Sequence, residues 1–521
     1  MTVKPHAEAP LKRASFAPSI VAAALLLLII AAGVVLRLHL LTERDLWVDE
    51  ALSVVLARLP WRDFWRALWS FQANMGLYYF LLRGWLHLGD SEATVRGLSV
   101  LFGVAVIPAT YLLGRRLFDT KAAIASAALS AVNVFQIRYS QEARGYSLVM
   151  LLVVLSTYFF VRAVDSPSQK RYWIGYVLTS ALGIYVHLFI YLVLAAHWLS
   201  LGYARLRLLS RKTLFSAAAG FILLTGPINA FILLRDHGQL SWVPRPTTHL
   251  VLDFAKLFTG DGGILLLGAY AALCLVALFR PAVSEAQVSP NLDERWSVKV
   301  VAAWLFFPIV LTLLVSLVKP VFYDRFMGIS APALALLAGQ GMSKLDQVSF
   351  RFRGLFAASL LVMVGLSVWG IHRYDDDPAS QGDNWRLAIH YMLARQQPGD
   401  AVFLYRASGD WPFEYYARRE MEIDGIEESP RVVFPLDVSN PQQEPDEQQA
   451  HLAIQGQKRI WLILQHYEGP QERQTAMQAI QKALQNNYRM SQEQVFSGVS
   501  GPIRVSLYAP DSSPAPVPVE K

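Results

Sequence analysis

The chain has 521 residues, 54% hydrophobic and 17% charged, with a mean hydropathy of +0.32 and a formal net charge of +7. That balance excludes an ordinary water-soluble domain and defines a polytopic helical membrane protein. The positive charge falls in short loops between apolar runs, so nothing calls for nucleic acid as a partner. The single cysteine, Cys274, lies inside an apolar run, which excludes an intrachain disulfide and a cysteine-based zinc site.

The first apolar run, 19–36, is long enough to cross a bilayer. Lys4, Lys12 and Arg13 precede it, as in a signal peptide, but the run is too long for one and no small-residue cleavage site precedes Arg37. The expectation is an uncleaved anchor in the plasma (inner) membrane with its N-terminus cytoplasmic. Directly after it comes Arg44-Asp-Leu-Trp-Val-Asp-Glu-Ala-Leu-Ser53, with Asp49 and Glu50 adjacent. A carboxylate in hydrocarbon costs several kcal/mol, so this pair faces water or a polar cavity and marks chemistry at the membrane surface. The structural alternative is that Asp49 caps a helix over 51–58 and Glu50 favours its dipole.

Residues 60–71 carry Trp61, Phe64, Trp65, Leu68 and Trp69 at helical spacing and predict a helix lying in the interface. Residues 77–88 are too few to cross and are expected as a re-entrant or juxtamembrane helix roofing the site. Further spans are expected near 95–113, 122–137, 147–164, 173–185, 188–203, 214–234, 263–279, 300–318, 326–341 and 355–371, giving about eleven in all. Loops with Arg115, Arg116 and Lys121, with Arg162, Lys170 and Arg171, with Arg205, Arg207, Arg211 and Lys212, and with Lys344, Arg351 and Arg353 then share the cytoplasmic side. The segments holding Asp49 and Glu50, Gln141 to Arg144, 235–261, 319–325 and everything after Arg373 fall outside.

Beyond Arg373 the composition turns polar. Helical stretches (384–396, 472–486) alternate with β-rich runs (401–405, 431–434, 459–464, 504–508), the pattern of a small α/β domain over 374–508 following a transmembrane domain over 1–373. A Pro-rich tail, 509–521, is expected to be disordered. Within this domain, Ser408 to Tyr416 is either an aromatic platform for an acceptor sugar or a Pro-started helix.

Several of these motifs together resemble a known family. Asp45-Leu-Trp-Val-Asp-Glu50, Leu77-Tyr-Tyr79, Gly89-Asp-Ser-Glu92 with Arg96, Gly114-Arg-Arg-Leu-Phe118 and Tyr139-Ser-Gln-Glu-Ala-Arg-Gly-Tyr146 are similar to GT-C membrane glycosyltransferases of family 39, the protein O-mannosyltransferase and aminoarabinose-transferase-like branch. The resemblance covers roughly 20–340; the chain departs from it at Asn74-Met-Gly76, where many relatives carry a basic residue and prolines.

The resemblance implies transfer of a hexose or pentose, with inversion, from a polyprenyl-phosphate donor to a hydroxyl on a glycolipid, polysaccharide or protein at the outer face. It implies Asp49 as base, with Glu50 as orienting partner or weaker substitute. Glu142 becomes a partner of Asp49 for holding sugar or metal, unless it only forms an ion pair with Arg138 or Arg144. Arg144 is expected to reach the same cavity. Arg325, in Lys319-Pro-Val-Phe-Tyr-Asp-Arg325 with Tyr323, offers a planar fork to the lipid phosphate, and Lys319 either adds a point charge or snorkels. His187, between two spans, bonds the sugar or is structural. No metal is demanded by a monophosphate leaving group, although a divalent ion between Asp49 and Glu142 stays open. The alternative from another class is a transporter or flippase of lipid-linked glycans, which predicts repeated halves and broken spans with buried ions near the midplane.

Overall fold

The computed structural model describes residues 20–510 except 73, 208, 235–242, 280–292, 349–353, 378–381, 406–409, 425–430, 433–451, 453, 466–480, 486–487 and 500. The expected helix over 472–486 lies mostly outside the described residues, as does the tail.

Apolar runs of span length fold as helices because the helix satisfies every backbone group internally. In chain order these are α1 (Ile20–Leu38), α5 (Glu92–Leu117), α8 (Tyr146–Asp165), α9 (Lys170–Ile184), α10 (Ile190–Leu206), α11 (Arg211–Leu234), α13 (Gly263–Phe279), α14 (Glu294–Ser316), α15 (Ala331–Val348) and α16 (Leu355–Asp376). Between them lie α2 (Val48–Arg58), α3 (Trp61–Ala67), α4 (Gly76–Trp85), α6 (Thr120–Val132), α7 (Val134–Ser140) and α12 (Thr248–Thr259). Among the described residues seven helices are long and apolar enough to cross, or nine if the bent pairs α6/α7 and α12/α13 each count as one span. The sequence estimate of eleven adds α9 and α10, which are shorter, at 15 and 17 residues.

The expected span 122–137 is bent: it consists of α6 and α7, which meet at 58°. Asn133 makes the break by capping α7, its Oδ1 accepting from Gln136 N at 3.0 Å while its Nδ2 donates to Phe258 O at 3.2 Å. The carbonyls freed at the end of α6, Ser130 O and Ala131 O, accept from the fully buried guanidinium of Arg37 in α1 at 3.0 Å each, so side chains satisfy the backbone at the bend. Close helix approach elsewhere depends on small residues. A Cβ on Gly339 of α15 would stand 2.4 Å from Ser126 Oγ of α6, and one on Gly341 would stand 2.1 Å from Leu273 O of α13.

The segment after α2 is helical, as its aromatic periodicity predicts, over α3 and the turn that follows it. Trp61, Trp65 and Trp69 are exposed, whereas Phe64, Ala67 and Leu68 are buried. The α3 corner is held by Arg83 of α4, whose guanidinium lies 4.0 Å from the Trp61 ring centroid and donates to Ala57 O at 3.0 Å.

The C-terminal domain has a five-stranded mixed sheet, ordered β2-β1-β3-β5-β4, from β1 (Ala401–Tyr405), β2 (Arg431–Val432), β3 (Ile460–Gln465), β4 (Tyr488–Phe496) and β5 (Ile503–Pro510). The β1 strand pairs in parallel with β2 and β3, while β5 pairs antiparallel with β3 and β4. All six residues of β3 are buried, as a central strand covered on both faces requires. Helices α17 (Trp385–Leu393) and α18 (Asp410–Asp424) pack together, and α18 also packs on α2. The aromatic-platform reading of 408–416 is corrected by burial: Trp411, Phe413, Tyr415 and Tyr416 are at most 7% exposed.

Candidate active site

The adjacent carboxylates of α2 have different environments. Glu50, three residues after the extended Trp47, accepts that residue's N–H at 3.3 Å and so caps the helix itself. Its carboxylate is 1% exposed and also takes Arg96 Nε at 2.8 Å, Arg96 Nη2 at 2.7 Å and the Ala143 N–H at 2.7 Å. Glu50 is therefore engaged on both oxygens and ties α2 to α5 and to the α7–α8 loop. The expectation that Asp49 caps the helix does not hold. A hundred degrees around the helix, Asp49 is 25% exposed; its Oδ2 accepts from Arg325 Nη1 at 3.1 Å and lies 3.9 Å from Arg144 Nη2.

Arg144 comes from the loop before α8. Its Nη1 donates to Asp49 O at 3.2 Å, to Ser53 Oγ at 3.4 Å and to the Tyr79 hydroxyl of α4 at 2.8 Å. Arg325 enters from the 3₁₀ turn Asp324–Ser330, where Asp324 Oδ1 accepts its N–H at 2.7 Å. Its guanidinium stands 5.3 Å from the Trp47 ring and 5.0 Å from the Tyr323 ring. Two guanidinium groups thus converge on one carboxylate in an aromatic surround. Such planar forks suit phosphate oxygens.

Glu142 pairs with Arg138 at 3.4 Å rather than with Arg144. Burial pushes its carboxyl up to about 7, against the pull of Arg138. His187, in the α9–α10 loop, is 3% exposed and packs 5.2 Å from the Phe326 ring. Burial, reinforced by the nearby Arg325 and Arg144 cations, drives it down to about 3, so its imidazole is neutral at ordinary pH. Its Nδ1 accepts the Phe189 N–H at 3.3 Å, which leaves the proton on Nε2. Lys319, by contrast, is exposed beyond α14 and outside this cluster.

Four buried polar atoms around Asp49 and Arg325 have no hydrogen-bond partner among the described residues: Trp47 Nε1, Glu142 Oε2, Arg144 Nε and His187 Nε2. Buried polar groups are normally paired, so such a concentration suits a polar ligand. Among the described residues no group of three or more His, Cys, Asp or Glu gathers. Asp49 and Glu142 are each faced by arginine instead, a poor setting for a divalent cation.

Arg96, Trp47 and Arg138 were not singled out as site residues from the sequence. The available signal for Arg96 was a lone cation one turn inside an apolar helix, which marks a buried partner.

This arrangement sits in the fold of GT-C membrane glycosyltransferases. Residues 76–229 match the family model described as dolichyl-phosphate-mannose-protein mannosyltransferase. The crystal structure of ArnT from Cupriavidus metallidurans bound to undecaprenyl phosphate superposes with a TM-score of 0.61 at 12% identity, covering 93% of this chain and 98% of that one. Its apo state gives 0.63 at 14% identity with the same coverages. The Archaeoglobus fulgidus oligosaccharyltransferase tethered with an acceptor peptide gives 0.54 at 12% identity, covering 92% of this chain and 74% of that one. No curated protein sequence matches.

Proposed function

We propose that this chain is an inverting glycosyltransferase that moves a sugar from a polyprenyl-phosphate donor to an acceptor hydroxyl at the outer face of the plasma membrane. The observation that carries the reading is the partly exposed Asp49 carboxylate held by Arg325 and Arg144, ringed by unpaired polar atoms at the ends of spanning helices. The likeness to an ArnT structure holding undecaprenyl phosphate, and to an archaeal oligosaccharyltransferase structure in complex with dolichol-phosphate, supports a lipid-phosphate donor.

The chemistry needs a base, a cationic seat for the leaving phosphate and an apolar path for the lipid. Arg325 takes the phosphate as the donor binds, a stronger forked partner than the single contact it makes to Asp49. That exchange frees Asp49 Oδ2 to accept the proton of the acceptor hydroxyl as its oxygen attacks the anomeric carbon from the face opposite the phosphate. The phosphate leaves with the bonding electron pair, stabilised by guanidinium charge, so no step requires a metal. Neutral His187 supplies an Nε2–H to an oxygen of the transferred sugar, and Glu50 holds α2 in place. Arg325→Lys should weaken undecaprenyl phosphate binding despite preserving the charge, since the fork is lost, and Arg325→Ala should weaken it further. Unchanged binding in both variants moves the phosphate seat elsewhere.

The same reading puts the N-terminus in the cytoplasm and the C-terminal domain outside. Because Cys274 is buried, introduced cysteines report cleanly. Gln494→Cys should react with an impermeant thiol reagent on intact cells and Ser210→Cys should not. The reverse pattern inverts the orientation.

A further inference from the structure

The loop between α1 and α2, which delivers Asp49, is gripped from two sides. From the membrane side Arg96 donates to Leu41 O and Arg44 O at 2.7 Å each, and to Asp45 O at 2.9 Å. From the other side come contacts of the C-terminal domain. The Tyr416 hydroxyl of α18 accepts the Leu46 N–H at 2.7 Å and donates to Glu92 Oε1 at 2.6 Å. The Arg386 N–H of α17 donates to Asp45 Oδ2 at 2.7 Å, and the Arg386 guanidinium pairs with Asp45 and Glu92. Tyr416 is 2% exposed, and the residue whose amide it holds lies three positions before Asp49.

We infer that the C-terminal domain is part of the catalytic apparatus: Tyr416, with Arg386, is a positioning residue that sets the backbone of 45–47 and through it the aim of the Asp49 carboxylate. This rests on the assignment of Asp49 as base. It separates the domain's role from acceptor binding alone, because the grip falls on the loop that carries the base. A displacement of about 1 Å at a reacting group can cost roughly a hundredfold in rate.

A built-in comparison comes from the next residue. Tyr415, on the same helix and 1% exposed, donates its hydroxyl to Asp90 O at 2.9 Å, fastening α18 to the turn before α5 rather than to the backbone of 45–47. Full-length Tyr416→Phe and Tyr415→Phe proteins separate positioning from simple domain docking. Three readouts apply: steady-state transfer from the polyprenyl-phosphate sugar that the parent uses, undecaprenyl phosphate affinity, and hydrogen exchange over 41–53. Tyr416→Phe should lower kcat by about tenfold to a hundredfold. Its donor KM and undecaprenyl phosphate affinity should stay near the parent's, with faster exchange at 45–50. Tyr415→Phe should leave all three readouts near the parent's.

Equal kcat losses in the two variants make the contacts merely structural and overturn the proposal, as does a parent-like kcat in Tyr416→Phe. If Tyr416→Phe does not fold, Arg386→Gln removes the charge contacts to Asp45 and Glu92 while keeping the backbone bond. The same split between kcat and KM is then expected, and parent-like kcat and exchange overturn the proposal. If the parent transfers from no polyprenyl-phosphate sugar, the functional reading fails by itself. Hydrogen exchange then decides the grip alone: faster exchange at 45–50 in Tyr416→Phe but not Tyr415→Phe supports it, and any other pattern overturns it.

Discussion

Asp49→Asn should lower glycosyl transfer by roughly 10²–10⁴-fold while leaving the fold and undecaprenyl phosphate binding intact. The amide keeps the size of the carboxylate and can still accept from Arg325 Nη1, now at 3.1 Å from Oδ2, so the geometry of the cluster is retained. What is lost is the proton acceptor. Helix capping does not confound the result, since it is Glu50, not Asp49, that accepts the N–H of Trp47, the residue before α2. Transfer rate and donor affinity measured on the same purified variant check this. A well-folded Asp49→Asn protein that binds the lipid phosphate and transfers at the parent rate removes Asp49 from the chemistry.

Arg96→Ala should destabilise the protein by about 3–5 kcal/mol and abolish transfer with it, because it strands a carboxylate that is 1% exposed. The same truncation removes the hydrogen bonds to three backbone carbonyls, Leu41 O, Arg44 O and Asp45 O. Arg96→Lys should recover only part of the loss, since a point donor cannot reach Glu50 on two oxygens and the loop carbonyls together. Adding Glu50→Gln to Arg96→Ala should restore stability partly, because the uncompensated buried charge is then gone. Thermal unfolding of the detergent-solubilised variants decides it: an Arg96→Ala protein melting with the parent shows that the pair contributes nothing to holding α2.

The membrane part was legible wherever one physical requirement dominated. Uninterrupted apolar length gave α1, α5, α8 and α16 within a few residues, and short β-branched and aromatic runs between polar segments gave β1, β3 and β5. Legibility failed where a single side chain overrode the local pattern. Asn133 splits a continuous apolar run by capping α7 at Gln136 N and bonding Phe258 O of α12, which hydropathy does not register. The β4 strand was missed because Tyr488–Phe496 is an edge strand, exposed along most of its length, and so lacks a buried alternating face.

The site divides along the same line. The resemblance in Asp45 to Glu50 and Tyr139 to Tyr146 pointed to the residues that converge on Asp49, but two adjacent acids in a sequence look alike. Their separation into a buried, doubly engaged Glu50 and a partly exposed Asp49 depends on Arg96, Ala143 and Arg325, which lie 46, 93 and 276 positions away. In the sequence Arg325 is preferred to Lys319 for its planar fork, with Lys319 as a point charge or a snorkelling residue. The turn at Asp324 to Ser330 carries Arg325 to the cluster, while Lys319 is exposed. The aromatic run ending in Tyr416 was the most misleading, since an exposed sugar platform and a buried helix face share the same composition.

The most direct test of the glycosyltransferase reading is to incubate purified full-length protein with a panel of polyprenyl-phosphate hexoses and pentoses, together with a membrane glycan extract, and to measure released polyprenyl phosphate. The account predicts release from at least one donor, dependent on added acceptor and lost in Asp49→Asn. Release from none of them by a folded protein that binds undecaprenyl phosphate, or release that survives Asp49→Asn unchanged, contradicts it.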